Sequence, residues 1–199
     1  AKAQDLLRHG GRPAVVDLVL VAEAVRAREA AAVVELALGE HVRFYFEDAT
    51  TIRYQIQEML RIERVFEAEG IEEELSAYNP LIPDGHNWKA TFMIEIPDPA
   101  QRAVRLGEMI GIEDQVWLQV GDMDRIVPIA DEDLDRTTAD KTASVHFMRF
   151  EVTPEQINAL KDGAALYAGI DHPSYPIERY EVPQSIRDSL VSDLVVTEH

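Results

Sequence analysis

A chain of 199 residues carrying a formal charge of −18 has room for one substantial core, and its field repels phosphate backbones and anionic lipid. Nucleic-acid and membrane-surface roles are therefore disfavoured, and basic proteins, metal cations or cationic ligands are the complementary partners. Cysteine is absent, which excludes disulfides, thiolate metal sites, iron–sulfur ligation by this chain and cysteine nucleophiles.

With 46% hydrophobic and 28% charged residues the composition is that of a globular protein. The longest apolar run near the start, Leu18–Ala22, falls far short of the ~20 residues that span a bilayer, and the start does not read as a signal peptide. A cytoplasmic location is expected.

Residues 1–32 read as a helical segment: Gly10-Gly11-Arg12 leads to Pro13, a good first helical residue, and Val16, Leu20, Ala24 and Ala27 share a stripe up to about Ala31. Residues 33–80 read as a hairpin and helices. Val34, Leu36 and Leu38 alternate as a strand before Gly39-Glu40, with continued helix the alternative because alanine is common here. From His41 to Glu47 the alternation of Val42, Phe44 and Phe46 against Arg43 and Tyr45 predicts a strand with one buried face. A tight link at Asp48–Thr50 then predicts a partner strand over Thr51–Gln55, completing a hairpin from 41 to 56. The spacing predicts a helix over Ile56–Phe66 with Ile56, Met59, Leu60 and Phe66 on one side and Glu63 in the middle of that side. A further helix carries Ile71, Leu75 and Tyr78 and stops at Asn79-Pro80, and a turn-rich loop over Leu81–Asn87 delivers the chain into a new strand near Lys89.

Residues 88–183 contain a repeated pattern. Phe92-Met93 followed by Asp98-Pro99-Ala100-Gln101 recurs as Phe147-Met148 followed by Thr153-Pro154-Glu155-Gln156. Each copy reads as a strand, an N-cap residue, proline at the first helical position and glutamine at the third, which is a capping-box arrangement. Helices follow, Gln101 to about Ile110 and Glu155 to about Lys161, and then two strands: Val116–Val120 and Arg125–Ile129, Ala165–Ile170 and Ile177–Val182. Duplication and convergence on one architecture both account for the pattern. Between the copies, Asp131-Glu132-Asp133-Leu134-Asp135 has the acid spacing of a calcium loop, but Arg136 and Thr142 stand where that loop needs glycine and glutamate, so it reads as a solvated connector. Residues 184–199 make a short amphipathic helix, with Ile186, Leu190 and Leu194 on one side, and a loose tail.

The polar residues that stand out are few. Glu63, on an apolar face, needs an arginine partner, a metal or a proton, because an unpaired buried carboxylate costs several kcal/mol. Glu58 lies about 140° round the same helix, so the two cannot aim at one site. In Ser144–Phe150, His146 goes inside if Met148 and Phe150 face the core, with Arg149 then outside; the opposite face would bury Arg149. Asp171-His172-Pro173 sits at a strand end, as turn chemistry or as a site. A metal site built from Glu63, His146, Asp171 and His172 would hold iron, manganese or zinc, assembled across distant segments because no His-x-x-x-His or Glu-x-x-His spacing is present. Phosphate-binding glycine loops, nucleophile elbows and dinucleotide fingerprints are absent.

Phe46-Glu47-Asp48, Thr51-Ile-Arg-Tyr-Gln-Ile-Gln-Glu-Met-Leu-Arg-Ile-Glu63, Glu74-Leu75 with Tyr78-Asn79-Pro-Leu-Ile-Pro83, Ala90-Thr91 with Ile94-Glu95, Val145-His-Phe with Arg149-Phe150, and Ile170-Asp-His-Pro-Ser-Tyr175 resemble the bacterial family called domain of unknown function 3501. The resemblance runs from about Val34 to Leu194. It implies no established activity, but a redox setting: genes of the family are often found beside those of rubrerythrin-like di-iron proteins and iron–sulfur oxidoreductases.

The expectation is a single α+β domain over 1–199, mainly antiparallel, built from two strand–helix–strand–strand units plus a hairpin, with flanking helices. The leading functional expectation is an accessory protein acting with a rubrerythrin-like or iron–sulfur redox partner in oxidative metabolism or stress. Two alternatives stand beside it. One is a metal-dependent enzyme or metal-binding protein whose catalytic candidates are Glu58, Glu63, Tyr78, Asn79 and Arg149, and the other is a small-ligand sensor. Self-association is compatible with all three.

Overall fold

Asp48 decides where the first long helix among the described residues begins. In the computed structural model, which describes residues 33–132 and 136–196, its Oδ1 accepts the amides of Thr50 and Thr51, each at 2.7 Å, while Thr51 Oγ1 accepts the amide of Asp48 at 2.9 Å. This closed capping box starts α1 at Ala49 and carries it to Glu63. Thr51–Gln55 is thus the opening of a helix and not the second strand of a hairpin. The hairpin lies one strand earlier, where β1 (Val34–Leu38) pairs antiparallel with β2 (Val42–Glu47), placing Leu36 opposite Phe44. Gly39 makes the turn at φ +71°.

The expected apolar stripe of α1 is present in Ile52, Ile56, Met59 and Leu60, but the helix stops at Arg64 in the left-handed conformation. Glu63 is therefore the last helical residue and is exposed, not central to a buried face, and Phe66 lies beyond the helix, 77% exposed. A second helix, α2 (Ala68–Tyr78), runs into a 3-10 turn over Asn79–Leu81.

The described residues fall into two compact units: a helical one over 47–83, and a sheet unit of Val34–Phe46 with residues 84–132 and 136–196. The expected helix over Pro13–Ala31, and Asp133–Asp135 of the acidic connector, lie outside the described residues.

The repeated pattern organises the sheet unit. The first copy comprises β3 (Asn87–Ile94), α3 (Pro99–Glu108), β4 (Val116–Val120) and β5 (Arg125–Ile126). A short β6 (Ile129–Ala130) follows, and the second copy comprises β7 (Val145–Glu151), α4 (Pro154–Lys161), β8 (Leu166–Ile170) and β9 (Ile177–Glu181). Equivalent strands pair with each other: β3 with β7, and β4 with β8, both antiparallel. Each copy thus gives its first strand to one sheet, ordered β1-β2-β3-β7-β6, and its last two to a second, ordered β5-β4-β8-β9. The α+β class holds, with the strands divided between two sheets. The run expected as one strand over Arg125–Ile129 is split between them. Val127-Pro128 carries the chain across, and Pro128 has no amide to continue a ladder.

One core fills the sheet unit. Phe44, Phe92 and Phe150 meet there, Phe44 and Phe92 edge to face at 5.2 Å between centroids. Leu106, Ile157, Leu160 and Leu190 add the apolar faces of α3, α4 and α5 (Gln184–Ser192), each such side chain contributing about 1.5–3 kcal/mol. The expected caps are in place. Asp98 accepts the amide of Gln101, and Thr153 and Gln156 close a full box. The ends of α4 and α5 also bind each other's open carbonyls: Lys161 Nζ donates to Val191 O at 2.7 Å, and Arg187 donates to Ala164 O at 2.7 Å and to Leu160 O.

In the helical unit Glu74 is out of balance. Its Oε2 is buried with no hydrogen-bond partner among the described residues, and burial first, then Glu63 and Glu73, push its carboxyl above the ordinary range. A raised carboxyl favours folding only where it is protonated, and that contribution is lost as pH rises through the folded-state value. Glu74→Gln is therefore expected to raise the melting temperature by about a degree near neutral pH, with the gain disappearing below roughly pH 4. Scanning calorimetry across that range checks it; a lower melting temperature at neutral pH would show that Glu74 has an ionic partner.

Candidate functional site

Alternation along β7 turns Met148 and Phe150 into the core, and His146 goes with them, fully buried, while Arg149 faces outward. This is the arrangement expected if the Met148 face is the inner one. A cluster of polar groups from four segments surrounds the ring. Nδ1 lies 2.6 Å from Asp131 Oδ2, and Nε2 lies 2.9 Å from Thr142 Oγ1, 3.2 Å from Ala143 O and 3.9 Å from Glu113 Oε2. The Thr142 hydroxyl, itself fully buried, reaches Glu113 Oε2 at 3.1 Å, and the Thr137 hydroxyl donates to Glu113 Oε1. Phe92 packs its ring 5.9 Å from the imidazole.

Asp131 is the hub. Read from sequence as part of a solvated connector, it is instead nearly buried, at 10% side-chain exposure. Oδ1 accepts the Phe147 amide at 3.0 Å and Arg136 at 3.1 Å, while the Asp131 amide donates to Phe147 O at 2.8 Å. The side chain thus takes the place of a backbone carbonyl in the ladder beyond β6. Its φ of +51° belongs to a conformation that aspartate tolerates better than most residues. Arg136 lies over the Phe147 ring at 4.6 Å, between aromatic face and carboxylate. Burial, then Glu113 and Asp131, push the neighbouring Asp114 carboxyl above its ordinary range, and His146 pulls it partly back.

Sequence reasoning missed Asp131, Glu113, Thr137 and Thr142. Glu113 sits in a 3-10 turn (Ile112–Asp114) after Gly111, and the threonines lie in an irregular stretch, so no periodicity marks them. The one available signal was Asp131 directly after an apolar strand pair.

Asp171 and His172 are placed elsewhere in the sheet unit, in a clasp made by the whole Asp171–Tyr175 segment. Asp171 accepts Trp117 Nε1 at 3.0 Å and pairs with Arg125 at 2.6 Å. His172 Nε2 donates to Ile110 O at 3.1 Å while its Nδ1 accepts the Ser174 amide at 3.2 Å. Ser174 O accepts from Arg105, and the Tyr175 hydroxyl donates to Leu38 O and accepts the His41 amide, each at 2.9 Å. Five consecutive residues thereby tie β4, the end of α3 and the β1–β2 hairpin together. Tyr175→Phe removes both hairpin bonds and is expected to cost about 1–3 kcal/mol, measured by urea unfolding; a loss below a few tenths would show that the hairpin holds without the clasp.

Arg149 is held by Glu132, with bonds of 2.8 and 2.7 Å, and by Glu151, and the Glu132 bonds above all raise its already high pKa. In the helical unit Glu58 pairs with Arg61 at 2.6 Å, Tyr78 is buried beside Ile52 and Ile56, and Asn79 O accepts the Ile82 amide. Of the residues singled out from sequence, only His146 enters the buried cluster; Glu58, Glu63, Tyr78 and Asn79 belong to the helical unit, and Asp171 with His172 to the clasp. Among the described residues no group of three or more histidine and carboxylate side chains is arranged to hold a metal ion.

Among the described residues no helix is long and apolar enough to cross a membrane. A family model described as "Protein of unknown function (DUF3501)" matches residues 23–194. A crystal structure of a novel protein of unknown function from Burkholderia pseudomallei is similar at a TM-score of 0.77 and 46% identity, over 91% of this chain and 94% of that one. No curated protein matches.

Proposed function

The chain belongs to the DUF3501 family of proteins of unknown function, and from that premise we propose that it is a non-catalytic accessory protein that docks onto a redox partner of the rubrerythrin-like or iron–sulfur type. The observation that carries this reading is the surface of the helical unit. Ile62, Phe66, Leu75 and Leu81 are exposed there, against a buried apolar set of Ile52, Ile56 and Tyr78. Exposed Glu63, Glu67, Glu69, Glu72 and Glu73 lie in the same stretch. Apolar side chains set among carboxylates fit a partner surface that is apolar at its centre and basic at its rim, and the charge of −18 steers such a partner. The redox character of the partner rests on the gene setting that the family resemblance implies.

The bonds in the sheet unit support the same reading. Asp171, His172 and Arg149 spend their polar atoms on fixing the backbone and neighbouring side chains, which is the behaviour of a scaffold. The test is titration of the purified chain against purified rubrerythrin-like and iron–sulfur proteins. Binding that weakens with salt and falls at least tenfold in Phe66→Glu is expected, a tenfold change being about 1.4 kcal/mol. Absence of binding to every such partner overturns the proposal. Iron, manganese and zinc counted per chain in untagged, chelator-free protein separates it from the metal-dependent reading, which requires near-stoichiometric metal.

A further inference from the structure

We propose that β9 is the docking edge for a second copy of this chain, the two β9 strands pairing antiparallel about a two-fold axis at Tyr180. Among the described residues the two sheets end on β1, β6, β5 and β9. β5 and β6 have only two residues each, too short to template a partner, and β1 lies against α5. β9 has five residues, four of them exposed. It is the open edge.

The backbone of β9 shows which groups are on offer. The bulge in the β8–β9 ladder falls between Ile177 and Tyr180, and the register is regular beyond it. There the Val182 amide donates to Leu166 O at 2.8 Å, and Tyr180 stands opposite Ala168, so both residues turn their amide and carbonyl toward β8. Glu181, between them, turns its own outward. A strand added at this edge takes up those groups, and Pro183, which has no amide, ends the ladder.

The side chains choose the occupant. Glu178, Arg179 and Glu181 blunt the edge toward an arbitrary strand, because charges disfavour indiscriminate edge pairing. They suit their own copy. Pairing centred on Tyr180 sets Arg179 opposite Glu181 of the second copy and Glu181 opposite its Arg179, giving two opposite-charge pairs on one face. Arg179 is already held on that face, 3.7 Å over the ring of Tyr167, the residue opposite Glu181 in the β8–β9 ladder. Its Nη2 binds Asp122 at 2.9 Å and Gly121 O, while Nε and Nη1 make no hydrogen bond among the described residues. Tyr180, on the face of Ala168 and 42% exposed, meets its counterpart across the axis. Centring the pair on Arg179 or on Glu181 instead sets like charges face to face, so one register is favoured. The edge is short, and a patch of this size belongs to the weak, exchanging class of interface. It lies on the sheet unit and is independent of the docking proposed for the helical unit.

The test is sedimentation velocity of the full chain over a concentration series at about 0.15 M salt, where repulsion between the two acidic copies is screened beyond about 8 Å. A reversible dimer by about 100 μM is expected, and a monomer throughout overturns the proposal. Arg179→Glu and Glu181→Arg each set like charges opposite one another and should weaken the dimer at least tenfold. Mixed in equal amounts, the two variants restore both opposite-charge pairs and should associate again. A dimer indifferent to either substitution, or a mixture no tighter than the single variants, overturns it. Amide exchange of the wild-type chain gives a reading with no variant that must fold. Between dilute and concentrated protein the Glu181 amide should gain at least tenfold protection while that of Val182, already bonded to Leu166 O, stays unchanged. No gain at Glu181 overturns the pairing.

Discussion

Replacing Asp131 by alanine is expected to cost the sheet unit about 3–5 kcal/mol, the range found when one member of a buried ion pair is removed and the other is left behind. Three partners lose their acceptor at once: the His146 ring, the Arg136 guanidinium and the Phe147 amide. Alanine also tolerates the φ of +51° at this position less well than aspartate, by roughly 1 kcal/mol. Glu132→Ala is the contrast, because Glu132 is half exposed and its bonds to Arg149 lie at the surface, where an ion pair contributes about 0–1 kcal/mol. Urea unfolding followed by circular dichroism measures both. Equal losses in the two variants would mean that the cluster is solvated and that its bonds are not those of a buried network.

That contrast shows what the sequence can and cannot disclose. Asp131 and Glu132 are neighbours in one acidic run, and composition treats them alike. Their burial differs because Ile129-Ala130 pairs with Arg149 and Met148, which places the next residue against Phe147, a consequence of a pairing 18 to 20 residues apart in the chain. Local signals were legible where they close on themselves. Thr153-Pro154-Glu155-Gln156 announces a capped helix, and the alternation of Met148 and Phe150 announces which side of β7 carries His146 inward. The repeated strand–helix–strand–strand pattern was legible for the same reason. At Thr51–Gln55, however, apolar alternation suggested a strand, while the capping box between Asp48 and Thr51 and the longer stripe of Ile52, Ile56, Met59 and Leu60 made a helix. Glu63 was misplaced because the three expected helical residues after it, Arg64–Phe66, are not helical. The partners of His146 could not be foreseen, since Glu113 and Thr142 come from a 3-10 turn and an irregular stretch that no periodicity marks.

Gly169→Ala is the second large effect expected, about 1–3 kcal/mol from overpacking on an ordered sheet face. Gly169 stands directly opposite Trp117 in the β4–β8 ladder, and a Cβ there would lie 2.1 Å from Cζ2 and 2.5 Å from Cε2 of the indole. The ring cannot slide away freely. Its Nε1 donates to Asp171, Arg125 covers it at 3.9 Å from the centroid, and Arg125 is itself paired with Asp171. The added methyl must therefore break the indole's bond to Asp171 or bend the strand, and a freed indole becomes wetter. A red shift in the emission of Trp117 is expected; Trp88, whose Nε1 donates to Leu190 O in the core, should keep its own. Asp171→Ala removes the same anchor without the clash. If Asp171 acts through the indole, the loss in Gly169→Ala/Asp171→Ala falls short of the sum of the single losses by at least about 0.5 kcal/mol. Strict additivity would detach Asp171 from the clasp and return it to the residues free to bind a ligand.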